Sequence, residues 1–217
     1  MPIKVHLLSS GPLENNVIII EDEETNEGTI FDPSFYPEDV LALVEKEGIR
    51  ISSILFTHGH FDHFAGLTYL LAKIYPTPRV GLHAADLNLW REGGGSVQFR
   101  IPVDLPTDPD FLLEHGQQLP LGNHVIEVRH TPGHSPGSVI FHIPTIKTAI
   151  VGDLIFRNGV GRTDLDGGSF AALKNSIETQ VFTLPSDTTL IPGHGPETTA
   201  AEEMRNNPYV GSSSYSH

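Results

Sequence analysis

The sequence predicts an α/β fold in which two β-sheets pack face to face and carry helices on their outer faces. Three observations predict it. Short apolar runs bounded by Gly, Pro and acidic turns recur in both halves of the chain, segments with helical apolar spacing accompany each group of runs, and the residues suited to chemistry fall just after the runs.

In the first half, strands are expected over residues 4–8 and 16–21, on either side of the turn Ser10, Gly11, Pro12, and a third over 28–32. The acidic stretch 21–27 reads as a solvated hairpin tip. A helix follows over 37–47, with acids at its start, Val40, Leu41 and Val44 on one face and Gly48 as its stop. The run of Ile51, Ile54, Leu55 and Phe56 is a buried strand, and residues 62–74 have helical spacing. A strand over 79–82 and a short helix over 84–92 continue the alternation. Residues 93–110, with three consecutive glycines and three prolines, have no period and read as a long loop, either a lid or a plain connector. Trp90 beside it belongs either to the core or to an entrance.

The second half opens near Gln118, with strands over 124–129, 138–143 and 148–151 separated by Gly/Pro turns. Residues 169–181 are amphipathic through Phe170, Leu173, Ile177 and Val181, and a strand over 189–191 follows. One domain over residues 1–211 is expected, with a polar tail at 212–217, since a single core commonly holds about 100 to 200 residues or more.

Composition narrows the partners. A formal charge of −14 with 13 Lys and Arg opposes binding to nucleic acid, whose affinity comes largely from cations neutralising phosphates, so a small-molecule substrate is expected. With no cysteine, any metal must be held by nitrogen and oxygen. The start of the chain lacks a signal-peptide pattern and no run approaches a membrane span, so a cytoplasmic protein with no membrane partner is expected. Oligomeric state is not encoded in any local pattern.

The chemistry centres on THGHFDHFAG, residues 57–66, at the turn between a buried strand and a helix. His58 and His60 are two apart, so one extended backbone aims both imidazoles to the same side and lets them share an ion. Asp62 and His63, where the helix begins, suit a second ion, as catalytic metal pairs sit roughly 3.5–4 Å apart. Three further candidate ligands stand at strand ends beside glycine: His134 in TPGHSPGS, Asp153 in VGDLIF and His194 in IPGHGPETT. His6, His83, His115, His124, His142 and His217 lack ligand spacing, whereas His130, beside the TPGH turn, is placed to support a ligand.

The ordered set HxHxDH, TPGHSPGS, GD and PGHG resembles the metallo-β-lactamase superfamily over most of the chain. The resemblance implies a four-layer αββα sandwich with two divalent ions at one edge, zinc foremost, with iron or manganese also suited to these ligands. It implies His58, His60 and His134 on one ion, Asp62, His63 and His194 on the other, and Asp153 bridging both. Such ions lower the pKa of a bound water to about 7 and polarise a carbonyl, with Asp62 and Asp153 orienting the hydroxide.

GDLIFRNGVGRTDLDGG, then a helix, PGHGPETT and NNPYV, further resembles the short, single-domain glyoxalase II-like hydroxyacylglutathione hydrolases. That implies cleavage of S-lactoylglutathione or a related thioester. Arg162 matches a basic residue that contacts glutathione in that family, or else braces its own loop through Asp164. Only 23 residues follow His194, so the helical domain that completes the glutathione site in full-length glyoxalase II is not expected. Retention of Asp153 argues against antibiotic hydrolysis. An iron persulfide dioxygenase, with one iron on His58, His134 and Asp153, is the alternative enzyme class. A non-catalytic metal-binding module is the remaining one.

Overall fold

A computed structural model describes residues 2–212; of the expected polar tail, residues 213–217 lie outside the described residues. In chain order the first half comprises β1 (Ile3–Ser10), β2 (Asn15–Asp22), β3 (Glu27–Phe31), α1 (Pro37–Glu47), β4 (Arg50–Leu55), α2 (Phe61–Phe64), α3 (Leu67–Lys73), β5 (Arg79–His83), α4 (Leu87–Arg91), α5 (Ser96–Phe99) and β6 (Phe111–Leu113). The second half comprises β7 (Gln118–Leu121), β8 (His124–His130), β9 (Val139–Ile143), β10 (Thr148–Gly152), a small hairpin of β11 (Ile155–Phe156) and β12 (Gly159–Val160), α6 (Phe170–Ser176), β13 (Thr189–Pro192), β14 (Thr198–Thr199) and α7 (Ala200–Asn206).

Two six-stranded sheets result, ordered β1-β2-β3-β4-β5-β6 and β14-β13-β10-β9-β8-β7. The layering follows from side-chain alternation along the strands. On β2, Val17 and Ile19 enter one core with Val40 and Val44 of α1 and Leu67 and Leu70 of α3, while Ile18 and Ile20 face the other way. That second face meets Val128, Phe141, Ile150 and Ile191 of the opposite sheet. On β9, Ile140 turns outward to a third core with Leu173 and Ile177 of the α6 segment. Helix, sheet, sheet and helix therefore stack in four layers, the αββα sandwich expected. Because β2, β9 and β10 are buried on both faces, their sequences read as continuous apolar runs.

Several elements depart from the sequence expectation. The helix expected over 62–74 is split into α2 and α3. Gly66 lies at the break, donates its N–H to the Pro33 carbonyl at 2.9 Å, and has no room for a side chain against the Ser34 carbonyl and Pro37. Gly66→Ala is expected to lower the unfolding free energy by about 1–3 kcal/mol, the usual cost of overpacking, measured by denaturant titration. The helix expected over 84–92 opens as a 3-10 turn, and that over 169–181 winds into a π-helical turn after Ser176. Strands β6, β7, β11, β12 and β14 escaped pattern reading because each has only two to four residues.

The loop 93–110 is fastened, not free. It contains α5, the Trp90 indole N–H donates to the Thr107 carbonyl at 2.9 Å, and Arg91 forms a two-pronged pair with Asp108. Trp90 itself is fully buried, edge-on to Phe56 and tilted against Phe64 with ring centroids 4.7 Å apart in each case, so it is a core residue. No described helix is long and apolar enough to cross a membrane.

Candidate metal centre

All seven expected ligands lie at one end of the sandwich. The strand β4 delivers His58 and His60, and Thr57 fixes where it stops: its N–H and hydroxyl both donate to the fully buried Asp32, at 2.8 and 2.7 Å. Gly59, between the two histidines, donates its N–H to Asp86 at 2.9 Å. His60 is extended (φ −75°, ψ 148°) and opens α2, which carries Asp62 and His63. His134 sits in the turn between β8 and β9. Asp153 follows β10 and His194 follows β13; these strands are parallel, with Gly152 opposite Pro192, so both side chains leave the sheet at the same level.

The ligand-type atoms of His58, His60 and His134 lie within 4.8 Å of one another, as do those of Asp62, His63 and His194, and those of His58, His63 and Asp153. Asp153 reaches both sides: its carboxylate oxygens lie 3.6 Å from His63 Nε2, 3.7 Å from His134 Nε2 and 3.6 Å from His194 Nε2. The outward nitrogens are occupied. His63 Nδ1 donates to Asp32 at 3.0 Å, His134 Nδ1 to the Arg162 carbonyl at 2.8 Å, and His194 Nδ1 to the Leu13 carbonyl at 2.8 Å. His58 Nδ1 lies 3.0 Å from the Thr57 hydroxyl oxygen, whose own proton goes to Asp32. When the ring is neutral, each such bond selects the tautomer that leaves a lone pair facing the cavity.

Those inward atoms supply the test of fit. His58 Nε2, His63 Nε2 and Asp153 Oδ1 are buried without a hydrogen-bonding partner. An unsatisfied buried polar atom costs roughly 1–3 kcal/mol, and three of them converging from separate elements describe a socket for cations. Five imidazoles and two carboxylates, with no thiolate, suit borderline divalent ions such as zinc, iron or manganese.

The charges are arranged accordingly. Burial and the neighbouring histidines hold His58 well below the ordinary histidine value, and burial with the adjacent His134 holds His60 at about 3, so both are neutral. Burial opposes charge on His63 too, yet the carboxylates of Asp62, Asp32 and Asp153 outweigh it and raise His63 to about 10. Asp62, also disfavoured by burial, is held far below the usual carboxylate range by His63, His194 and the Asn15 amide. Without an ion, His63 is therefore an imidazolium at neutral pH, and a ligand must be neutral. Metal uptake near pH 7 is expected to release at least one proton per chain, and apparent affinity to rise with pH through about 10, above which His63 is mostly neutral. Calorimetry in buffers of different ionisation enthalpy measures that release.

Three supporting residues carried no recognisable motif. Asp32 ends the expected third strand, Asp86 lies in an ordinary-looking AADLNLW stretch, and Asn15 donates to Asp62 at 2.9 Å from the start of β2. The only local signal was the type of residue, a buried acid or amide beside a strand end. Arg162 lines the cavity of about 410 Å³ over the ligands, but its guanidinium is held by Asp164 through two bonds of 2.8 and 2.9 Å. His130 supports the ligand turn from outside, bonding the Pro136 carbonyl at 2.9 Å and stacking on His83.

Comparison with known proteins places this geometry in context. The model of the Metallo-beta-lactamase superfamily matches residues 10–194. Probable metallo-hydrolase YqgX of Bacillus subtilis is 35% identical over 204 residues, 92% of this chain and 94% of that protein. Hydroxyacylglutathione hydrolase GloC of Haemophilus influenzae is 31% identical over 214 residues, 98% of this chain and 100% of the relative. Among solved structures, BLEG-1 B3 metallo-beta-lactamase superposes with a TM-score of 0.89 at 31% identity, covering 95% of this chain and 99% of that one. TTHA1623 in a di-iron-bound form gives 0.86 at 37% identity, covering 95% and 100%. A protein named a metallo-beta-lactamase and one named a hydroxyacylglutathione hydrolase are thus each 31% identical to this chain, and overall likeness does not separate those two names.

Proposed function

The chain belongs to the metallo-beta-lactamase superfamily, and from that premise we propose that it is a cytoplasmic, single-domain, metal-dependent thioester hydrolase of the glyoxalase II type. Its substrate is S-lactoylglutathione or a related hydroxyacylglutathione. The observation that carries the reading is the reach of Asp153 to both His/Asp groups, with His58 Nε2, His63 Nε2 and Asp153 Oδ1 left open toward the cavity. End-to-end similarity to GloC supports the choice of thioester.

In this reading His58, His60 and His134 would hold one divalent ion and Asp62, His63 and His194 a second, with the Asp153 carboxylate within reach of both groups. Bound there, zinc, or else iron or manganese, supplies Lewis acidity and acidifies a coordinated water. The chain does the rest. Asp62 and Asp153 accept hydrogen bonds from the attacking water and so aim its lone pair at the acyl carbon. Leu13, Phe61 and Phe99 give the cavity part of an apolar lining, which strengthens charge interactions beside it. The water gives up a proton to solvent and its oxygen adds to the acyl carbon as the carbonyl π bond opens; the carbonyl then re-forms as the C–S bond breaks, and a thiol is acidic enough, near pKa 8.5, to leave as thiolate without a dedicated proton donor. Arg162 faces the same cavity and meets a substrate carboxylate if Asp164 yields it.

The test is a thioester assay on metal-replete protein with metal analysis on the same sample. Two ions per chain and turnover of acyl-glutathiones are expected; a replete protein inert toward the whole panel rejects the reading. Iron in TTHA1623 keeps one rival in view, the persulfide dioxygenase with a single iron on His58, His134 and Asp153. One iron per chain with oxygen consumed on glutathione persulfide identifies that rival.

A further inference from the structure

The turn between β1 and β2, with the first residues of β2, reaches across the molecule to the loop that carries His194. Asn15 pairs with His194 as an isolated antiparallel bridge, and the Asn16 N–H donates to the Gly193 carbonyl at 2.7 Å. The buried Asn16 side chain then donates through its single NH₂ to the carbonyls on either side, Pro192 at 2.9 Å and Gly195 at 2.8 Å. In return His194 Nδ1 donates to the Leu13 carbonyl at 2.8 Å. Residues 13–16 thus bracket the ligand from both sides.

The position of this loop decides the geometry of its neighbours. Gly193 has no room for a side chain against Asp153 Oδ1 and His63 Cε1, so the backbone beside His194 lies directly against two other ligand residues. Packing does little to fix His194 itself: its side chain is 27% exposed, against 0% for His63 and 4% for His134. Its direction is therefore set by hydrogen bonds.

The two ligand groups are framed separately. Asp86 bonds Gly59 and Ser135, which adjoin His58, His60 and His134. The His194 loop instead has one sheet bond, from the Gly193 N–H to the Gly152 carbonyl at 2.8 Å, and the bonds to residues 13–16. From that same stretch Asn15 donates to Asp62 at 2.9 Å. A carboxamide is the side chain suited to the bridge, because its one nitrogen carries two donors; a hydroxyl has one and a carboxylate none.

Resting on the two-ion reading above, we propose that Asn16 is the positioning residue of the second ligand group: its carboxamide fixes the direction of His194 and so sets the affinity of the ion held by Asp62, His63 and His194, while the ion held by His58, His60 and His134 is indifferent to it.

Zinc titration of metal-stripped protein, followed by calorimetry and by the imidazole resonances of the histidines, tests this. Asn16→Ala keeps its backbone N–H and with it the bond to Gly193. The parent is expected to take up two Zn²⁺ per chain. In the variant, the step that moves the His63 and His194 resonances is expected to weaken about 10- to 100-fold, the scale on which loss of a residue orienting a ligand acts, and the step that moves His58, His60 and His134 to stay within about twofold. Asn16→Ser, with one donor, is expected to fall between parent and Asn16→Ala, and carries the test if the alanine variant does not fold. A general loss of stability weakens both steps alike. Both steps weakened equally, neither weakened, or both variants unfolded overturns the Asn16 assignment and leaves the two-ion reading intact; a parent that takes up fewer than two ions overturns both. None of these readouts depends on turnover, so they stand apart from the thioester assay.

Discussion

Asp153→Ala is expected to abolish stoichiometric binding of two ions and to lower kcat by about 10²- to 10³-fold, the scale on which loss of a single charge-stabilising group acts in enzymes. Among the described residues, the Asp153 carboxylate lies within 3.7 Å of the inward nitrogens of His63, His134 and His194 together. Its removal therefore affects both ligand groups, whereas removal of His60 or His194 affects one. The same change has a signature in the metal-free protein. Asp153 is one of three carboxylates that raise His63 to about 10, so His63 should titrate lower in the variant, which NMR of the imidazole resonances follows. Metal content by elemental analysis, kcat, and the His63 titration give three separate readouts. A variant that keeps two ions and turns over within about twofold of the parent contradicts the role given to Asp153.

The second large effect is expected at a residue that touches no substrate. Asp86 is fully buried and collects three donors: Gly59 N–H at 2.9 Å and the Ser135 hydroxyl at 2.6 Å on one oxygen, and Gly137 N–H at 2.6 Å on the other. Gly59 lies between His58 and His60, and Ser135 follows His134. One carboxylate thus pins both loops that form the first ligand group. Asp86→Ala strands three buried donors at roughly 1–3 kcal/mol each, so a loss of about 3 kcal/mol or more in unfolding free energy is expected. Metal affinity should fall by about 10- to 100-fold, as is usual when a ligand's support is removed. Asn does not restore the site, because its NH₂ must face one of the donors. Burial pushes the Asp86 carboxyl up from its ordinary value, so the charge itself is unfavourable in the fold and is kept for the bonds it accepts. Denaturant unfolding of the metal-free protein separates the stability loss from the affinity loss; an Asp86→Ala protein of parental stability and affinity removes Asp86 from the supporting frame.

Much of this site was legible as text. Four ligand-type residues within THGHFDHFAG announce themselves, because a short extended segment running into a helix forces neighbouring side chains to a common side. His134, Asp153 and His194 were readable only as a set, since a histidine or aspartate beside glycine is by itself an ordinary turn residue. Asp32, Asp86 and Asn15 were not readable. Asp32 acts on Thr57 and His63, and Asp86 on residues 59, 135 and 137, so their partners are set by tertiary packing and leave no spacing to detect. Arg162 held two readings in sequence, substrate contact or loop brace; folded, its guanidinium is bonded to Asp164 while it still faces the cavity.

What the chain determines by itself is the layering and the inventory of candidate ligands. Alternation that sends Val17 and Ile19 to one core and Ile18 and Ile20 to another is a local consequence of strand geometry, and it calls for a sheet covered on both faces. Only the tertiary structure decided that β10 runs parallel beside β13, which brings Asp153 level with His194. The physical reason is that side-chain direction is set by bonds a residue or two away, whereas strand pairing and loop placement are set by which apolar faces bury one another across the whole chain.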